Sequence, residues 1–426
     1  MLLFWPESIS SLIHIYVYSI IYAALTTIGL VVLRLSWGPV PELYVHCVRT
    51  LQTFVGLKAI NREGGKGGGG SSKAAVRSYA PAPVEMWTLL DRPLNAESKL
   101  HHILYVISFL IRWLWLLPVR LILLSVSIGW FALWAGPCLS PSPSLVSFFS
   151  SAFSDRIPVH ASSLASSLRL PDICTSLLLG NRCCDSTERK GKHHRTSRSL
   201  RLVLSAKGNH AWIAGIAVAN HLSANDIIIL YADLPYHVTS GYAITGQRHV
   251  GICGVLEKLG SRLAPALWLD RSCTQQRNAF QAAIKEHAEK PDSAPVLLFP
   301  EGYCVNNTAI LRFRRAAFAI ETEIHPIAVK TRPELGDPFW WEDTYAPHLL
   351  RLLTSWATRY ETHYLPAMRR MVCRQSSVVV VVQCIQCQDD ETPEAFAERV
   401  QQAMADTVGL SALPIDGQVA KRVQVD

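Results

Sequence analysis

The stretch that most constrains the fold of this chain is an apolar run that stops abruptly at polar residues and restarts a few positions later. Residues 213–219 are apolar and suited to a β-strand, Asn220 and His221 end the run, and a second apolar run begins directly after Asp226. This pattern predicts a strand, a turn and the start of a helix, as in an α/β fold. In open α/β sheets reactive groups collect beyond the carboxyl ends of strands, so we expect His221 to be accessible to a substrate.

His221 and Asp226 form the candidate catalytic pair. Five residues correspond to roughly 140° of rotation in a helix, so the two side chains can meet only across a turn. If Ser223 or Asn225 caps the new helix, Asp226 falls in its first turn, where its carboxylate can bond the imidazole and support its charged form. The expected arrangement is a His–Asp dyad without a serine nucleophile, and the alternative is a capped turn with an incidental histidine.

The same spacing occurs a second time, between His287 and Asp292. A His-x4-Asp pair is expected by chance roughly 0.5 times in a chain of this composition, so spacing alone is weak support. The second pair lies at a charged helix end that runs into Pro291, with no strand before it. We therefore interpret it as a surface coincidence and assign the chemistry to the first pair.

The composition favours attachment to a membrane. Charged residues make up only 17% of the chain. Its net charge of +8 fits a cytosolic surface facing anionic lipid better than a nucleic-acid footprint, because no nucleic-acid-binding motif accompanies it. Residues 15–33 carry no charge and are followed by Arg34, which predicts a transmembrane helix at about 13–34. Positive residues follow on its C-terminal side, so that side is expected to be cytosolic.

A second apolar run, residues 103–135, contains Arg112, Pro118 and Arg120. Two charges and a proline near the middle argue against one straight span, so we expect a hairpin in one leaflet, or two short packed spans, with both arginines at the head groups. A Gly-, Ser- and Pro-rich stretch before it predicts a flexible linker. The predicted division is a membrane anchor, this linker, a membrane hairpin with a linker, and a catalytic domain, at residues 1–60, 61–100, 101–170 and 171–426.

After the candidate dyad, short apolar runs alternate with helical patterns. One amphipathic helix is predicted at Thr274–Glu289. Further strands are predicted at residues 241–246, 263–269, 296–299, 324–330 and 378–383. The alternation predicts an α/β fold, a mixed sheet flanked by helices, preceded by N-terminal membrane helices.

Three strands end in residues that can bind or react, the first being the strand before His221. A second runs into Asp270 and Arg271, and a third runs into Glu301 and Gly302. Glycine lets backbone N–H groups approach a ligand, and a carboxylate can hold a hydroxyl. Arginines that could bind a phosphate follow at Arg312, Arg314 and Arg315. Each feature alone is an ordinary surface turn or ion pair, and their occurrence together favours a binding site.

Four sequence blocks occur in a fixed order: N-H-L-S-A-N-D at 220–226, L-W-L-D-R at 267–271, F-P-E-G at 299–302 and H-P-I-A-V-K at 325–330. Together they resemble the membrane-bound glycerolipid acyltransferases of the 1-acylglycerol-phosphate and glycerol-3-phosphate type. The similarity is greatest to the endoplasmic-reticulum glycerol-3-phosphate acyltransferases, through C-V-N-N-T at 304–308, L-G-D-P-F-W at 335–340, L-T-S-W-A at 353–357 and Y-L-P-A-M at 364–368. It covers most of the chain from about residue 100 onward.

The resemblance implies transfer of an acyl group from acyl-CoA to glycerol 3-phosphate, which makes lysophosphatidate. His221, oriented by Asp226, would act as general base, and the acceptor hydroxyl would attack the thioester directly. The implied substrate-binding residues are Arg271 for the acceptor phosphate, together with Glu301, Gly302, Arg314 and Arg315. Acyl-CoA is a co-substrate, and the resemblance implies neither a cofactor nor a metal. It also implies a place in the endoplasmic-reticulum membrane, with the catalytic domain facing the cytosol.

Three positions depart from the family pattern. Tyr303 replaces the usual threonine after F-P-E-G, Ala316 replaces a usual glycine, and Leu269 stands where a larger apolar residue is common. These changes bear on the identity of the acceptor more than on activity. A lysophospholipid (1-acylglycerol-3-phosphate) acyltransferase of the same fold therefore stays open as an alternative.

Two alternatives belong to other classes of protein. A non-catalytic membrane lipid-binding scaffold would have no need of a general base. A nucleic-acid-binding module using the basic residues 189–201 would leave the strand-end residues unexplained, and we interpret that segment as a solvated loop, with contact to anionic lipid second. The 11 cysteines lack regular spacing, which fits reduced thiols, and Cys384 and Cys387 are expected to be two thiols at a strand end.

Overall fold

The protein is described here from a computed structural model. The residues it describes are 5–32, 40–54, 99–135, 214–233, 241–248, 251–263, 265–269, 274–291, 293–333, 335–371 and 390–417. Several predictions fall outside these residues, namely those for the linker, the strand at 378–383, the basic segment 189–201, Arg271, Asp292 and the pair Cys384 and Cys387.

Two long apolar helical segments precede the α/β domain. The helices are α1 (Trp5–Val32), α2 (Val40–Phe54), α3 (Lys99–Leu110) and α4 (Leu117–Ala135), with a π-helical segment at Ile111–Leu116. Ile9–Leu30 and Val106–Gly129 are long and apolar enough to cross a membrane. Ile20 and Ala24 pack against Val119 and Leu123, so α1 and α4 form one apolar pair.

The predicted hairpin at Arg112, Pro118 and Arg120 is not what the structure shows. The residues Lys99–Ala135 form one continuous helical run with no turn. The π-helical segment ends just before Pro118, whose missing N–H and bulky ring disrupt ordinary helical bonding. The wider winding there accommodates the proline without a break.

The two arginines in this run are buried instead of lying at head groups. They bind the C-terminal end of helix α8 (Tyr345–Thr354), where the last carbonyls of a helix lack partners. Arg112 Nη1 donates to the Thr354 carbonyl at 3.4 Å. Arg120 donates at 2.6–3.2 Å to the carbonyls of Leu352, Leu353, Ser355 and Trp356. Cations are favourable at this end of a helix, so the two guanidinium groups fix the long apolar helix to the α/β domain.

The central sheet has six strands. They are β1 (Ile216–Ala219), β2 (Ala243–Gln247), β3 (Ala266–Leu269), β4 (Val296–Leu298), β6 (Ile324–Arg332) and β7 (Arg359–Tyr364). The order across the sheet is β3-β2-β4-β1-β6-β7, and every neighbouring pair is parallel except β6 and β7. A separate parallel pair joins β5 (Ala309–Ile310) to β8 (Ser411–Ala412). The strand β1 thus lies between β4 and β6, in the middle of the sheet.

Helices cover both faces of the sheet. They are α5 (Asp226–Asp233), α6 (Gly251–Leu263), α7 (Thr274–Glu289) and α9 (Pro393–Val408). One face packs on α7 and α9 through Ile284, Phe396 and Met404, and the other packs on α5 through Ile229 and Leu230. The predicted mixed α/β sheet flanked by helices is confirmed, and α7 has the predicted bounds.

Several strand bounds differ from those that the apolar runs suggest. β1 begins at Ile216 because Ala214 and Gly215 have φ values of 65° and 92°, which no extended strand can contain. The predicted strand at 263–269 begins at Ala266, since α6 extends through Leu263. The strand β7 was not predicted, although it forms the antiparallel edge of the sheet.

Candidate active site

The site begins at the carboxyl end of β1, where Asn220 fastens the chain to β6. Its side-chain amide donates to the Val329 carbonyl at 2.9 Å, and its Oδ1 accepts from the Val329 N–H at 2.7 Å. Both bonds are buried and continue the pairing of β1 with β6 by side-chain atoms. His221 is therefore the first residue to leave the sheet, at a fixed position.

His221 and Asp226 meet across the predicted turn. The imidazole Nδ1 lies 2.9 Å from Asp226 Oδ2, and Asp226 is the first residue of α5. The same oxygen accepts from the N–H groups of Leu222 at 2.6 Å and Ser223 at 3.0 Å. The carboxylate thus organises the turn, and the Ser223 hydroxyl adds to it by accepting from the Asn225 N–H at 3.2 Å and donating to Asp226 Oδ1 at 3.4 Å. The geometry predicted for the dyad is present: Asn225 directly precedes the helix, its carbonyl accepts from the Ile229 N–H at 3.1 Å, and Asp226 lies in the first turn.

Exposure differs sharply between the two members of this pair. The His221 side chain is 21% exposed and the Asp226 side chain 1%. The imidazole stacks on Phe299 with ring centroids 4.4 Å apart, which fixes its plane. Burial disfavours the charged imidazole, but Cys304 and the Asp226 carboxylate outweigh it, so the pKa of His221 is raised well above its ordinary value. The ring, held by Asp226 and Cys304, can therefore hold a proton tightly while part of its surface stays exposed.

Glu301 lies beneath His221 rather than in an open pocket. Its Oε2 accepts from the His221 N–H at 2.7 Å and its Oε1 from the Leu311 N–H at 2.8 Å. The residue is buried, and burial raises its pKa to about 8 although both amide bonds oppose that shift. The His221 carbonyl in turn accepts from the Val305 N–H at 2.7 Å. Both oxygens of Glu301 thus bond backbone N–H groups, one of them that of His221, and its contact with a substrate hydroxyl stays a prediction.

Gly302 and Arg314 pack closely beside this carboxylate. Gly302 has a φ of 71°, and its N–H donates to the Phe299 carbonyl at 3.1 Å, so that N–H is not directed at a ligand. Glycine is favoured here by this positive φ, and a Cβ at position 302 would lie 2.8 Å from Arg314 Cζ, so the flexible arginine side chain would have to shift. Arg314 also lies over the Tyr303 ring at 5.6 Å, within cation–π range. Tyr303 therefore supports the arginine.

Of the remaining predicted binding residues, Arg315 does not lie beside His221. Arg315 pairs on the surface with Glu394, Nη1 to Oε1 3.1 Å, with both side chains more than half exposed. Arg271 lies outside the described residues and stays a prediction. The strand β3 that precedes it is three strands from β1, roughly 14 Å at the usual strand spacing.

Several site residues had no role assigned from the sequence. Cys304 lies beside the imidazole and forms a side-chain hydrogen bond with it, Phe299 stacks on it, and His348 contacts Asn225 from α8. Phe299 ends the predicted strand at 296–299, and Cys304 follows it a few residues later. Their closeness to Glu301 in the sequence was a signal that could have placed them at the site. His348 is 123 residues from Asn225, and no local pattern relates them.

The site defines a class of protein, since a partly exposed imidazole oriented by a buried carboxylate at a strand end can activate a hydroxyl. No group of three or more metal-ligating side chains is present among the described residues. Residues 209–330 match the family model Acyltransferase. The chain belongs to the acyltransferase family.

Relatives agree with this placement. Glycerol-3-phosphate acyltransferase 3 of Xenopus laevis is 31% identical over 80% of this chain and 66% of its own length. The human protein of that name is 36% identical over 50% of this chain and 44% of its own. Glycerol-3-phosphate acyltransferase 4 of Mus musculus is 30% identical over 80% of this chain and 64% of its own. The chain therefore spans between about two fifths and two thirds of the length of these relatives.

Among solved structures, the 1-acyl-sn-glycerophosphate (LPA) acyltransferase PlsC of Thermotoga maritima matches with a TM-score of 0.33 and 14% identity. The match covers 68% of this chain and 97% of that one. The two apolar helices, together with the relatives, support association with a membrane.

Proposed function

We propose that the protein is an acyl-CoA-dependent glycerol-3-phosphate O-acyltransferase that makes lysophosphatidate for phospholipid and triacylglycerol synthesis. The observation that carries the proposal is the His221–Asp226 contact of 2.9 Å at the end of β1, inside the segment that matches the acyltransferase family. The names of the relatives supply the acceptor. The lysophospholipid acyltransferase reaction is the alternative that the experiment below must distinguish.

In the proposed reaction, His221 acts as the general base. Because Nδ1 faces Asp226, Nε2 is the nitrogen that takes the proton from the acceptor hydroxyl. The hydroxyl oxygen attacks the thioester carbonyl, the new ester bond forms, and the carbon–sulfur bond of acyl-CoA breaks. The imidazolium then returns the proton to the departing thiolate. Asp226 stabilises the imidazolium between these two transfers.

The substrates are assigned to chemically matched surfaces. Arg314, and Arg271 beyond the described residues, are proposed to bind the acceptor phosphate through charge-assisted hydrogen bonds. The acyl chain is proposed to lie against the apolar α1–α4 pair, which would sit in the endoplasmic-reticulum membrane with the α/β domain in the cytosol. The proposal includes acyl-CoA as co-substrate and no resident cofactor or metal.

The test is acyl transfer from labelled acyl-CoA in membranes that contain the wild type or the His221→Ala variant. Glycerol 3-phosphate and lysophosphatidate are offered separately. We expect labelled lysophosphatidate from the first acceptor, with a loss of roughly 10²- to 10⁴-fold in the variant, since a positioned general base contributes about that factor.

The matched control is His287→Ala, because His287 begins the chain's other His-x4-Asp spacing and its imidazole bonds to the Ala294 carbonyl, Nε2 to O 3.0 Å. Its activity should remain at the wild-type level. Transfer by the wild type only to lysophosphatidate would establish the alternative acceptor. Absence of transfer to either acceptor would refute the proposal and favour a lipid-binding scaffold.

A further inference from the structure

We propose that His348 is a positioning residue, which holds the turn between His221 and Asp226 by binding Asn225. The inference rests on the proposed function, since it concerns the same candidate base. His348 is on α8 and is fully buried, and Asn225 immediately precedes Asp226. A histidine in this place touches neither substrate nor base, and its effect must pass through the turn.

The first contact joins α8 to the side chain of Asn225. His348 Nε2 lies 3.4 Å from Asn225 Nδ2, and the Tyr345 hydroxyl donates to Asn225 Oδ1 at 2.6 Å. Asn225 is 1% exposed, so water does not compete for its amide. An amide has both a donor and an acceptor end, so it can satisfy either neutral form of the imidazole by rotating half a turn. Both ends of this side chain are thus held from one helix.

The second set of contacts fixes His348 itself. Its Nδ1 lies 3.3 Å from Glu342 Oε2 and 3.0 Å from Arg351 Nη2. Arg351 Nε also donates to Glu342 Oε1 at 2.5 Å. This ion pair fixes the positions of the two groups that contact His348 Nδ1. The Trp340 ring stacks on the imidazole with centroids 5.8 Å apart. The imidazole therefore cannot move without disturbing a buried ion pair.

The same segment also holds the other side of the turn. The Trp340 N–H donates to the Leu222 carbonyl at 3.0 Å, while the Leu222 N–H donates to Asp226 Oδ2 at 2.6 Å. The residues on both sides of the turn, Leu222 and Asn225, are thereby tied to residues 340–348. Releasing Asn225 leaves the Asp226 carboxylate free to shift away from His221, whose Nδ1 it meets at 2.9 Å.

The experiment measures the titration of His221 directly, by the pH dependence of its modification by diethyl pyrocarbonate, read by mass spectrometry on the full-length protein. Only the neutral ring reacts, and His221 is partly exposed whereas His348 is buried. The variants are His348→Leu, Asn225→Ala and the double variant. Asp226, Cys304 and Glu301, the ionisable groups that act on His221, are retained in all of them.

In His348→Leu we expect the pKa of His221 to fall toward its ordinary value, because the bond to Asp226 weakens. We expect kcat for acyl transfer to fall roughly 10- to 100-fold with KM for both substrates within about twofold, the usual scale for residues that orient a catalytic group. The double variant should lose no more than the larger single loss, because both residues act through one contact. His348→Gln, whose amide can bond Asn225, should restore much of the activity.

The control is His363→Leu, since His363 is on β7 and 4.0 Å from Glu361, in another His–carboxylate pair. It should leave both the His221 titration and kcat unchanged. If the wild type transfers no acyl group but His221 still titrates lower in His348→Leu, the proposed function fails and the positioning role stands. An unchanged titration in folded His348→Leu, or additive losses in the double variant, would overturn the inference. Should His348→Leu fail to fold, Asn225→Ala removes the same contact from the other side, and an unchanged titration there would overturn the inference too.

Discussion

Two His–carboxylate pairs lie within one network, and they differ in what surrounds them. His221 meets Asp226 at 2.9 Å with its imidazole 21% exposed, and His348 meets Glu342 at 3.3 Å with its imidazole fully buried. The first pair follows a central strand and has one ring nitrogen directed away from its carboxylate. The second has both ring nitrogens engaged by protein groups. Both are histidine–carboxylate pairs, so the exposure of the imidazole decides which pair can act on a substrate.

Charge balance separates the pairs further. Glu342 also binds Arg351, so its negative charge is compensated by a guanidinium. Asp226 is compensated by backbone N–H groups and by His221. A proton on His221 is therefore stabilised by Cys304 and by its own carboxylate, as a base that must accept and release a proton requires. The second pair gains rigidity from its arginine instead.

The largest expected effect comes from breaking the exposed pair with Asp226→Asn. The amide cannot support the imidazolium, so we expect kcat to fall by roughly 10²- to 10⁴-fold. The pKa of His221 should fall as well, because the carboxylate is one of the groups that raise it. A base must be neutral to act, so the acid limb of the kcat/KM profile should move to lower pH. Measuring that profile for both proteins checks the two effects together, and a loss under tenfold would contradict the assignment.

The outline of this arrangement could be predicted from sequence because it is local. The apolar run before Asn220 and the new run after Asp226 placed a strand end and a helix start six residues apart, and the structure has both. Glu301 was correctly placed at the end of a neighbouring strand, but its contact with the His221 N–H depends on β4 lying beside β1, which strand order alone decides.

Other features could not be predicted, for physical reasons that differ. In the sequence alone, Arg112 and Arg120 look like interruptions of a membrane span. In the structure their acceptors are carbonyls at the end of α8, more than 200 residues later in the chain. Nothing local distinguishes a buried arginine with acceptors from one that reaches lipid head groups. The contact of His348 with Asn225 is equally remote, and its residues carry no spacing that a search along the chain could use.

A smaller effect is expected from breaking the buried pair with Glu342→Gln. Although burial opposes it, bonds from His348 and Arg351 lower the pKa of Glu342 to about 2. A carboxyl whose folded-state pKa is depressed adds stability above its unfolded pKa, near 4.5, and that stability is lost as pH falls toward 2. We expect the variant to be about 1–2 kcal/mol less stable at neutral pH, since water screens part of the shift. Its stability should also vary less between pH 5 and 2.

Urea unfolding of the detergent-solubilised protein at several pH values measures this difference. The control is Glu361→Gln, because Glu361 Oε2 is 4.0 Å from His363 Nε2. That pair should contribute much less to the stability of the protein. Equal losses in the two variants would mean that the buried network contributes no more than a surface pair. A larger loss at pH 3 than at pH 7 would contradict the sign of the assigned shift.

The smallest effect is expected from Arg315→Ala, which extends the comparison from histidines to arginines. Arg315 faces Glu394 on the exposed surface, whereas its neighbour Arg314 packs on Gly302 and Tyr303 beside the candidate site. Exposed ion pairs contribute little, so KM for the phosphate acceptor should stay within about twofold in Arg315→Ala. In Arg314→Ala it should rise roughly tenfold or more, the scale of a lost hydrogen bond to a charged group. Equal increases in KM for the two variants would place Arg315 in the binding site, as the sequence predicted. They would mean that Arg315 leaves Glu394 and binds the acceptor phosphate when substrate is present.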